Sequence, residues 1–354
     1  MNITLCTMAG LLTLAQVGAV PPPTGEKIVS PEAKLEWLFT RSAPIAGGLT
    51  EGPAVAPDGT IYFSDIPFGK DAGMILCFDP RTQATTVFSK DSGKSNGLIF
   101  NARGRLIACE GAGNGGRQIS QWDMKTKQKK VLADRYQEKR FNAPNDLCLD
   151  RAGRIYFSDP RYVGDEPREL EHRAVYRIDL DGSVQEVTHE ISKPNGLAIS
   201  PDGKELYVAE HDNGTDQIDE TKPAPKAGDM KIYAFPLNEQ GLVGGPRRTV
   251  LDFGQEKGCD GMTVDVHGHL YLTVRSPQRP GVKVITPQGA EVAFIPTGPI
   301  QQADNQPEKP VVGLPSNVEF GLGEDLNMLY ITVDKSLCRI RLKVQGYHVQ
   351  YATP

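Results

Sequence analysis

One pattern that recurs six times constrains this chain more than any other feature of its sequence. Each copy begins with an acidic or amide residue, which we call its lead residue, and continues with a short apolar run, a turn and an aromatic-rich segment. The copies start roughly every 50 residues. They are EGPAVAPDGTIYFSD from Glu51, NGLIFNARGRLIACE from Asn96, NDLCLDRAGRIYFSD from Asn145, NGLAISPDGKELYVAE from Asn195, DGMTVDVHGHLYLTV from Asp260 and NVEFGLGEDLNMLYITV from Asn317.

The repeated unit has the strand content of a propeller blade. Each copy predicts two short strands joined by a tight turn, such as PDG or RAG, whose glycine permits a positive φ. Alternating segments follow the copies, for example MILCFDP with ATTVFSK. Four strands in a unit of this length predict an all-β, six-bladed β-propeller with four-stranded blades. A solenoid of the same units is the alternative, and it would need capping ends that are not evident in the sequence.

Closure of the ring predicts where the N-terminal part of the domain lies. The last copy has only three clear strands, NVEF, MLYITV and CRIRLKV, and the strand-like KLEWLFT at 34–40 precedes the first copy. We therefore expect 34–40 to supply the outer strand of the last blade, pairing near 338–344. The predicted propeller spans 34–354, with 21–33 as a linker.

The first 20 residues have the composition of a targeting segment. They carry no charged side chain and are apolar from Ile3 to Val20, which predicts a secretory signal peptide cleaved near Ala19 and a periplasmic or secreted protein. A disordered apolar N-terminus is the alternative. No other segment predicts a membrane span, and no basic run marks a nucleic-acid or membrane surface. Of the six cysteines Cys6 lies in this segment, and the other five neither require nor exclude a disulfide.

The six lead residues share one chemical property. Two are carboxylates and four are amides, so that every one carries a side-chain oxygen. Because the first strand of a blade lines the channel, these oxygens are expected to converge on the axis as ligands of one hard divalent cation. Buried carboxylates without such an ion would repel each other. The alternative is that Asn-Gly and Asp-Gly mark turns, which does not explain Glu51-Gly-Pro or Asn145 followed by Asp146.

Strand polarity places two long loops on the same face as the lead residues. These loops, 160–173 and 211–229, join predicted second and third strands and are candidate walls for a substrate. Tolerated insertions at a rim are the alternative. His211 opens the second loop and is a candidate substrate-binding residue or rim base, against the simpler hypothesis of an exposed loop histidine.

At these residues the chain resembles the senescence marker protein/gluconolactonase family, which includes regucalcin, and its bacterial gluconolactonase branch most of all. The resemblance runs from about residue 35 to 342. It rests on the order and spacing of GLTEGPAV, SNGLIFNARGRLIACEG, LADRYQEKRFNAPNDLCLD, RIYFSDPRY, KPNGLAISPDGKELYVAE, CDGMTVDVHGHLYLT and PSNVEF. The sequence departs from many bacterial members at one place, where Gly111 rather than histidine follows Glu110.

The resemblance implies a six-bladed propeller that hydrolyses sugar lactones with a divalent metal in its channel. The implied ion is commonly Ca²⁺, with Mg²⁺, Mn²⁺ and Zn²⁺ as alternatives, and the implied partner is a small-molecule lactone. The family's metal ligands fall on Glu51, Asn145, Asn195 and Asp260. Asn145 contacts substrate in some members. Asn96 and Asn317 are repeat equivalents, which we predict to bind substrate together with Asn145 and His211.

The predicted chemistry is metal-assisted ester hydrolysis with Asp260 as the leading general base. Asp260 can instead be a ligand alone, and both roles stay open. Two rival functions use the same cage: a phosphotriesterase-like hydrolase and a non-catalytic binding propeller with a structural ion. A metal-free propeller of the strictosidine-synthase type is disfavoured by Glu51 and Asp260.

Overall fold

Six antiparallel four-stranded sheets arranged in a ring make up the protein. The structure, a computed structural model, describes residues 20–41, 48–67, 69–216, 226–298 and 313–351. After β1 (Glu36–Thr40), blade 1 contains β2 (Leu49–Val55), β3 (Ile61–Ile66), β4 (Met74–Asp79) and β5 (Ala84–Ser89). Blade 2 contains β6 (Ser95–Phe100), β7 (Leu106–Glu110), β8 (Gln118–Trp122) and β9 (Lys129–Ala133), and a small hairpin of β10 (Arg135–Tyr136) and β11 (Lys139–Arg140) follows it.

The other four blades repeat this order. Blade 3 contains β12 (Leu147–Leu149), β13 (Ile155–Ser158), β14 (Val175–Ile178) and β15 (Val184–Thr188), and blade 4 contains β16 (Pro194–Ile199), β17 (Glu205–His211), β18 (Met230–Pro236) and β19 (Arg248–Asp252). Blade 5 contains β20 (Cys259–Val264), β21 (Leu270–Val274), β22 (Gly281–Ile285) and β23 (Glu291–Pro296). Blade 6 contains β24 (Pro315–Phe320), β25 (Met328–Val333) and β26 (Ser336–Arg341), completed by β1.

The ring closes through the N-terminal strand, as the sequence predicts. β1 pairs antiparallel with β26, with Trp37 opposite Cys338 and Thr40 opposite Ser336. The innermost strands β2, β6, β12, β16, β20 and β24 contact one another in succession, and β24 returns to β2. The predicted six-bladed propeller with four-stranded blades is therefore confirmed.

The segment expected to be a linker, 21–33, packs onto the propeller. Thr24 forms an isolated bridge with Phe294, whose carbonyl accepts a 2.9 Å hydrogen bond from the Thr24 amide. Ile28 and Val29 are buried in the core between blades 5 and 6. These two apolar side chains thus anchor the segment. The predicted signal peptide, 1–20, lies outside the described residues apart from Val20.

Aromatic residues of the repeats fill the core between blades. The second strands carry a tyrosine at equivalent positions, and Tyr156, Tyr207, Tyr271 and Tyr330 are fully buried. Each buried hydroxyl has an acidic partner nearby in sequence, such as Asp325 for Tyr330 at 2.7 Å and Glu205 for Tyr207 at 2.7 Å. The polar tip of each tyrosine is thereby satisfied while the ring packs. No helix within the described ranges is long and apolar enough to cross a membrane.

Candidate active site

The lead residues occupy bulges at the start of the innermost strands. In five blades the pairing of first and second strands shifts register around the lead residue, as between Pro194 and Leu197 on either side of Asn195. A bulge turns a side chain out of the regular alternation and is common beside active sites. The Asn-Gly and Asp-Gly pairs therefore mark bulges here rather than hairpin turns. In blade 3 the lead residue Asn145 precedes β12, and its amide donates to the Ser158 carbonyl at 2.9 Å.

Glycines after the lead residues let adjacent inner strands approach closely. A Cβ at Gly196 would lie 2.5 Å from the Asp260 carbonyl oxygen, and one at Gly261 would lie 2.1 Å from Asn317 Cγ. No side chain fits at either place. The second residue of these repeats therefore brings the lead residues of successive blades together.

A cavity of about 380 Å³ opens at this end of the channel. Five of the six lead residues line it, and the structure thus brings together all four predicted metal ligands. Three of the four predicted substrate residues also line it: Asn96, His211 and Asn145, which is predicted for both roles. The lining lead residues are Glu51, Asn96, Asn145, Asn195 and Asp260.

Asn195 and Asp260 are joined directly, with Tyr162 completing the arrangement. Asn195 Nδ2 donates to Asp260 Oδ1 at 2.7 Å and to Tyr162 Oη at 3.1 Å. The tyrosine hydroxyl in turn donates to the carbonyl of His211 at 3.1 Å. Because Nδ2 uses both hydrogens in this way, the Asn195 Oδ1 lone pairs are left for a cation.

Arg275 is a charged residue of the cavity that sequence reasoning missed. Its Nη1 lies 3.3 Å from Asp260 Oδ2 and donates to the Pro315 carbonyl at 3.2 Å. The signal was available in the repeat: Arg275 directly follows β21, and Val274 pairs with Cys259, next to the lead residue. The residue at the end of each second strand is thus a neighbour of the lead residue.

The carboxyl of Glu51 lies in a strongly desolvated and negative environment. Glu51 is 3% exposed, and the Gly52 amide donates to its Oε2 at 3.0 Å. Burial raises the pKa of Glu51 well above its usual value; the charges of Asp260 and Asp146 raise it further, and Arg275 opposes them. A divalent cation would relieve this excess of negative charge.

The donor set of the cavity fits a hard cation. Two carboxylates and two amides, from Glu51, Asp260, Asn145 and Asn195, offer oxygen ligands of the kind that Ca²⁺ and Mg²⁺ prefer. Within the described parts of the chain no group of three or more His, Cys, Asp and Glu side chains forms a metal site. Any cation in this cavity would therefore depend on the amide oxygens as well as the carboxylates.

His211 is a buried residue of the cavity rather than an exposed loop histidine. It is the last residue of β17 and is 7% exposed. Its Nδ1 lies 2.9 Å from the Cys259 carbonyl, which can only accept, so Nδ1 carries the proton and Nε2 is an acceptor. Burial lowers the pKa of His211, which outweighs the opposing effect of Asp260. The alternative of an exposed histidine is wrong because the side chain is buried and hydrogen-bonded to the Cys259 carbonyl.

The remaining lead residues differ in position. Asn96 lines the cavity, and its buried Oδ1 has no hydrogen-bond partner among the described residues. Asn317 does not line the cavity; its Nδ2 donates to Asp146 Oδ2 at 3.2 Å and its Oδ1 accepts from the Val318 amide at 2.8 Å. This placement gives no support to the predicted substrate contact of Asn317.

The long loops contribute walls, as their length and polarity suggest. Residues 162–164 of the first loop line the cavity, and Asn213 does so from the second, of which 217–225 lie outside the described residues. Asp216 of the second loop forms ion pairs with three arginines of the first loop, and these contacts hold the two loops together. The arginines are Arg161, Arg168 and Arg173. Short loops of blades 1 and 2, through Pro67 and Ala112, complete the wall and were not singled out from the sequence.

Two lactonases align with this chain over most of their length. The chain is 28% identical to the gluconolactonase of Zymomonas mobilis subsp. mobilis, covering 90% of this chain and 87% of the relative. It is 26% identical to pentonolactonase XacC of Haloferax volcanii, with 83% and 84% covered. A solved gluconolactonase from Xanthomonas campestris superposes with a TM-score of 0.72 at 28% identity, covering 93% of this chain and 99% of that one.

The sequence profile described as SMP-30/Gluconolactonase/LRE-like region matches residues 49–335, which runs from β2 in the first blade to the end of β25 in the last. The match thus includes all six lead residues. The chain therefore belongs to the SMP-30/gluconolactonase/LRE-like family.

Proposed function

We propose that this protein is a lactone hydrolase that opens a sugar lactone in the cavity at the lead-residue end of the channel. The observation that carries the proposal is the joining of Asn195 to Asp260 at 2.7 Å within a cavity that Glu51 and Asn145 also line. Relatives that align with most of the chain are named gluconolactonase and pentonolactonase. A cavity of about 380 Å³ accommodates a small sugar derivative.

The proposed cofactor is one divalent cation, with calcium as the first candidate. Glu51, Asn145, Asn195 and Asp260 would hold it. When bound, such a cation polarises the lactone carbonyl and stabilises the negative charge that develops on its oxygen. The support is the chemistry of the donor set and the excess negative charge around Glu51.

Asp260 is proposed to move the proton. Its carboxylate takes a proton from the attacking water as the water oxygen bonds to the carbonyl carbon. The ring carbon–oxygen bond then breaks, and the proton passes to the departing ring oxygen. Asn195 and Arg275 hold one carboxylate oxygen each, which fixes the direction of the Asp260 lone pairs. In the alternative, Asp260 is a ligand alone and does not take the proton.

The other polar groups of the cavity are proposed to bind the sugar. Asn96 offers an unpartnered Oδ1, and the neutral His211 offers Nε2 as an acceptor. Both suit donation from substrate hydroxyls. Tyr162 and the apolar residues around it shield the cavity from water on the blade 3 side.

The deciding experiment measures hydrolysis of a panel of sugar lactones and a panel of organophosphate esters, with and without a metal chelator and with calcium added back. Lactone turnover that is lost with chelator and restored by calcium is the expected result. Turnover of organophosphates alone would favour a phosphotriesterase. Retained metal without turnover of any ester would favour a binding propeller.

A further inference from the structure

We propose that the substrate carries an anionic group besides the lactone, and that Lys94 binds this group at the blade 2 side of the cavity. The inference rests on the proposed lactone hydrolysis and narrows its substrate class to lactones that bear an oxyanion such as a carboxylate. Three observations support the inference: a lysine with no acidic partner among the described residues, the strained backbone at this lysine, and the charge balance of the cavity.

Lys94 is a buried cation that lines the cavity. The residue is 6% exposed, and its Nζ donates to the carbonyl of Gly69. Among the described residues no carboxylate lies within ion-pair distance of it, whereas Arg275 has Asp260 as its partner. An ammonium group has three donors, so two remain for a ligand. Burial of a charge without a counterion is costly, and a bound anion removes that cost.

The backbone at Lys94 shows that its position is constrained. Its φ is +55°, in the left-handed region that glycine and asparagine tolerate best. The conformation is held from both sides, because the Lys94 amide donates to the Ala72 carbonyl at 2.7 Å and its carbonyl accepts from Gly111 at 3.0 Å. Strained residues of this kind cluster at ligand sites. The backbone therefore holds the Lys94 side chain at a defined place in the cavity wall.

Asn96 provides a second unsatisfied group beside Lys94. It lies two residues further along the same chain segment, lines the same cavity and has its buried Oδ1 without a partner among the described residues. Lys94 and Asn96 therefore form one polar subsite on blade 2. The lysine would take an oxyanion and the amide a neighbouring hydroxyl of the same substrate.

The charge balance of the cavity favours an anion as well. The charged side chains of described residues that line it are Glu51, Asp260, Lys94 and Arg275. With both carboxylates ionised these charges cancel, and the buried Asp146, whose charge acts on Glu51, adds one negative charge. The proposed divalent cation would therefore leave the site with an excess of at least one positive charge. Apolar wall residues around the subsite, including Leu49 and Ala112, weaken solvent screening there. A neutral sugar lactone leaves the ammonium of Lys94 unpaired, whereas an anionic lactone pairs it.

The test compares two lactones that differ in a single group. D-glucaro-1,4-lactone carries a carboxylate at C6, where D-glucono-1,4-lactone carries a hydroxymethyl group. For the metal-loaded wild-type protein we expect kcat/KM to be about tenfold or more higher for the glucarolactone, as a charge-assisted hydrogen bond would give. In Lys94→Gln the preference should fall by about tenfold or more, through KM for the anionic substrate. Lys94→Arg should restore part of it.

The matched control is Lys204→Gln, which removes the same charge from a turn where the side chain is 79% exposed. It should leave the ratio of the two kcat/KM values unchanged, which separates local pairing from a change in net charge. Melting temperatures of all variants exclude loss of folding. If Lys94 only holds residues 69–73 in place through Gly69, Lys94→Gln would lower the melting temperature and both kcat/KM values together, leaving the ratio intact.

A binding measurement keeps the inference testable apart from turnover. Titration calorimetry of the metal-loaded protein with D-glucarate and D-gluconate, the ring-opened products, should give tighter binding of glucarate in the wild type and not in Lys94→Gln. Equal binding of the two acids, or a preference for the neutral lactone in turnover, overturns the inference. If neither lactone is hydrolysed, the proposed function fails for these substrates, and the calorimetric comparison alone decides whether Lys94 binds the anionic group.

Discussion

Asn317 and Asp146 are joined across the channel by a hydrogen bond of 3.2 Å from Asn317 Nδ2 to Asp146 Oδ2, although they are 171 residues apart in sequence. They belong to blades 6 and 3, which face each other in a ring of six. Asp146 Oδ1 also accepts from the Leu147 amide at 2.9 Å. Burial raises the pKa of Asp146 to about 7, and these two hydrogen bonds oppose the rise. The pair ties opposite sides of the propeller together.

This relationship predicts a structural role for Asn317. Asn317→Ala leaves a buried carboxyl oxygen without its donor, which should cost about 1–3 kcal/mol and lower the melting temperature by several degrees. Calorimetric melting and lactone kinetics on the same preparation provide the measurement. A rise in KM at an unchanged melting temperature would instead indicate that Asn317 contacts the substrate.

Asp260→Asn separates a base from a ligand. The asparagine keeps one oxygen ligand but loses the charge and the basicity, so loss of a base should lower turnover by about 10²–10⁴-fold at saturating calcium. If Asp260 is only a ligand, calcium affinity falls first and excess calcium restores much of the rate. Lactone hydrolysis across a calcium titration distinguishes the two, with Asp202→Asn in an exposed turn as the control. Full activity of Asp260→Asn at low calcium would remove Asp260 from the mechanism.

Tyr162 should position the Asn195 amide for metal binding. Tyr162→Phe removes the hydroxyl that accepts from Asn195 Nδ2, so that the amide can rotate and its oxygen is less well presented. Loss of one such hydrogen bond, about 1 kcal/mol, should weaken calcium binding by about fivefold in titration calorimetry. Tyr347→Phe, which loses a hydroxyl bonded to the Pro201 carbonyl, should bind calcium as the wild type does. Equal affinities for all three proteins would exclude this role.

Asp159 should make stability depend on pH. It accepts from the amides of Asn142 and Ala143 at 2.7 and 2.6 Å and so holds the segment that leads to Asn145. Burial raises the pKa of Asp159 to about 6, despite those hydrogen bonds. The folded state therefore keeps a proton that the unfolded chain releases near pH 4.

The stability that this proton contributes is fully present below about pH 4 and is lost as the pH rises through 6, about 3 kcal/mol in all. Asp159→Asn should remove this share of the pH dependence of the free energy of unfolding between pH 4 and 6, measured by denaturant titration, while the share from Asp146 and Glu51 remains. Asp71→Asn, at an exposed position, should retain the wild-type slope. An unchanged slope in Asp159→Asn would show that another group titrates there.

The N-terminal segment should be required for stability. Deletion of 21–40 removes β1 from blade 6, exposes the edge of β26 and uncovers the core contacts of Ile28 and Val29. We expect a clearly lower melting temperature. A finer comparison is Val29→Ser, which is destabilising because Val29 is fully buried, against Glu26→Ser, whose side chain is 82% exposed. Unchanged melting of the deleted protein would contradict the role of β1 in ring closure.

The repeat allowed the fold to be predicted in detail. Strand alternation and turn glycines are local properties, and six units each with an apolar face can bury those faces only by packing on one another. The pairing of 34–40 with the last blade was predictable because the last copy lacks a fourth strand. The convergence of Glu51 with Asp260 was predictable for the same reason, because equivalent positions in a ring of equal units share one end of the channel.

Other features were decided by the tertiary structure, because they depend on contacts between blades that have no fixed spacing in sequence. The Asn-Gly pairs were ambiguous between turn and bulge until the pairing of first and second strands showed a shift of register around them. Arg275 reaches the cavity because antiparallel pairing brings the end of a second strand back beside the lead residue. Lys94 reaches it because it lies in the loop that precedes a lead residue. Asn317 matches the other lead residues by sequence, yet its amide bonds to Asp146 instead of lining the cavity. The sequence determined which residues occupy equivalent positions in the six blades. Packing across the channel determined which of these equivalent residues make different contacts, because a side chain bonds to the partners that the opposite blade places within reach.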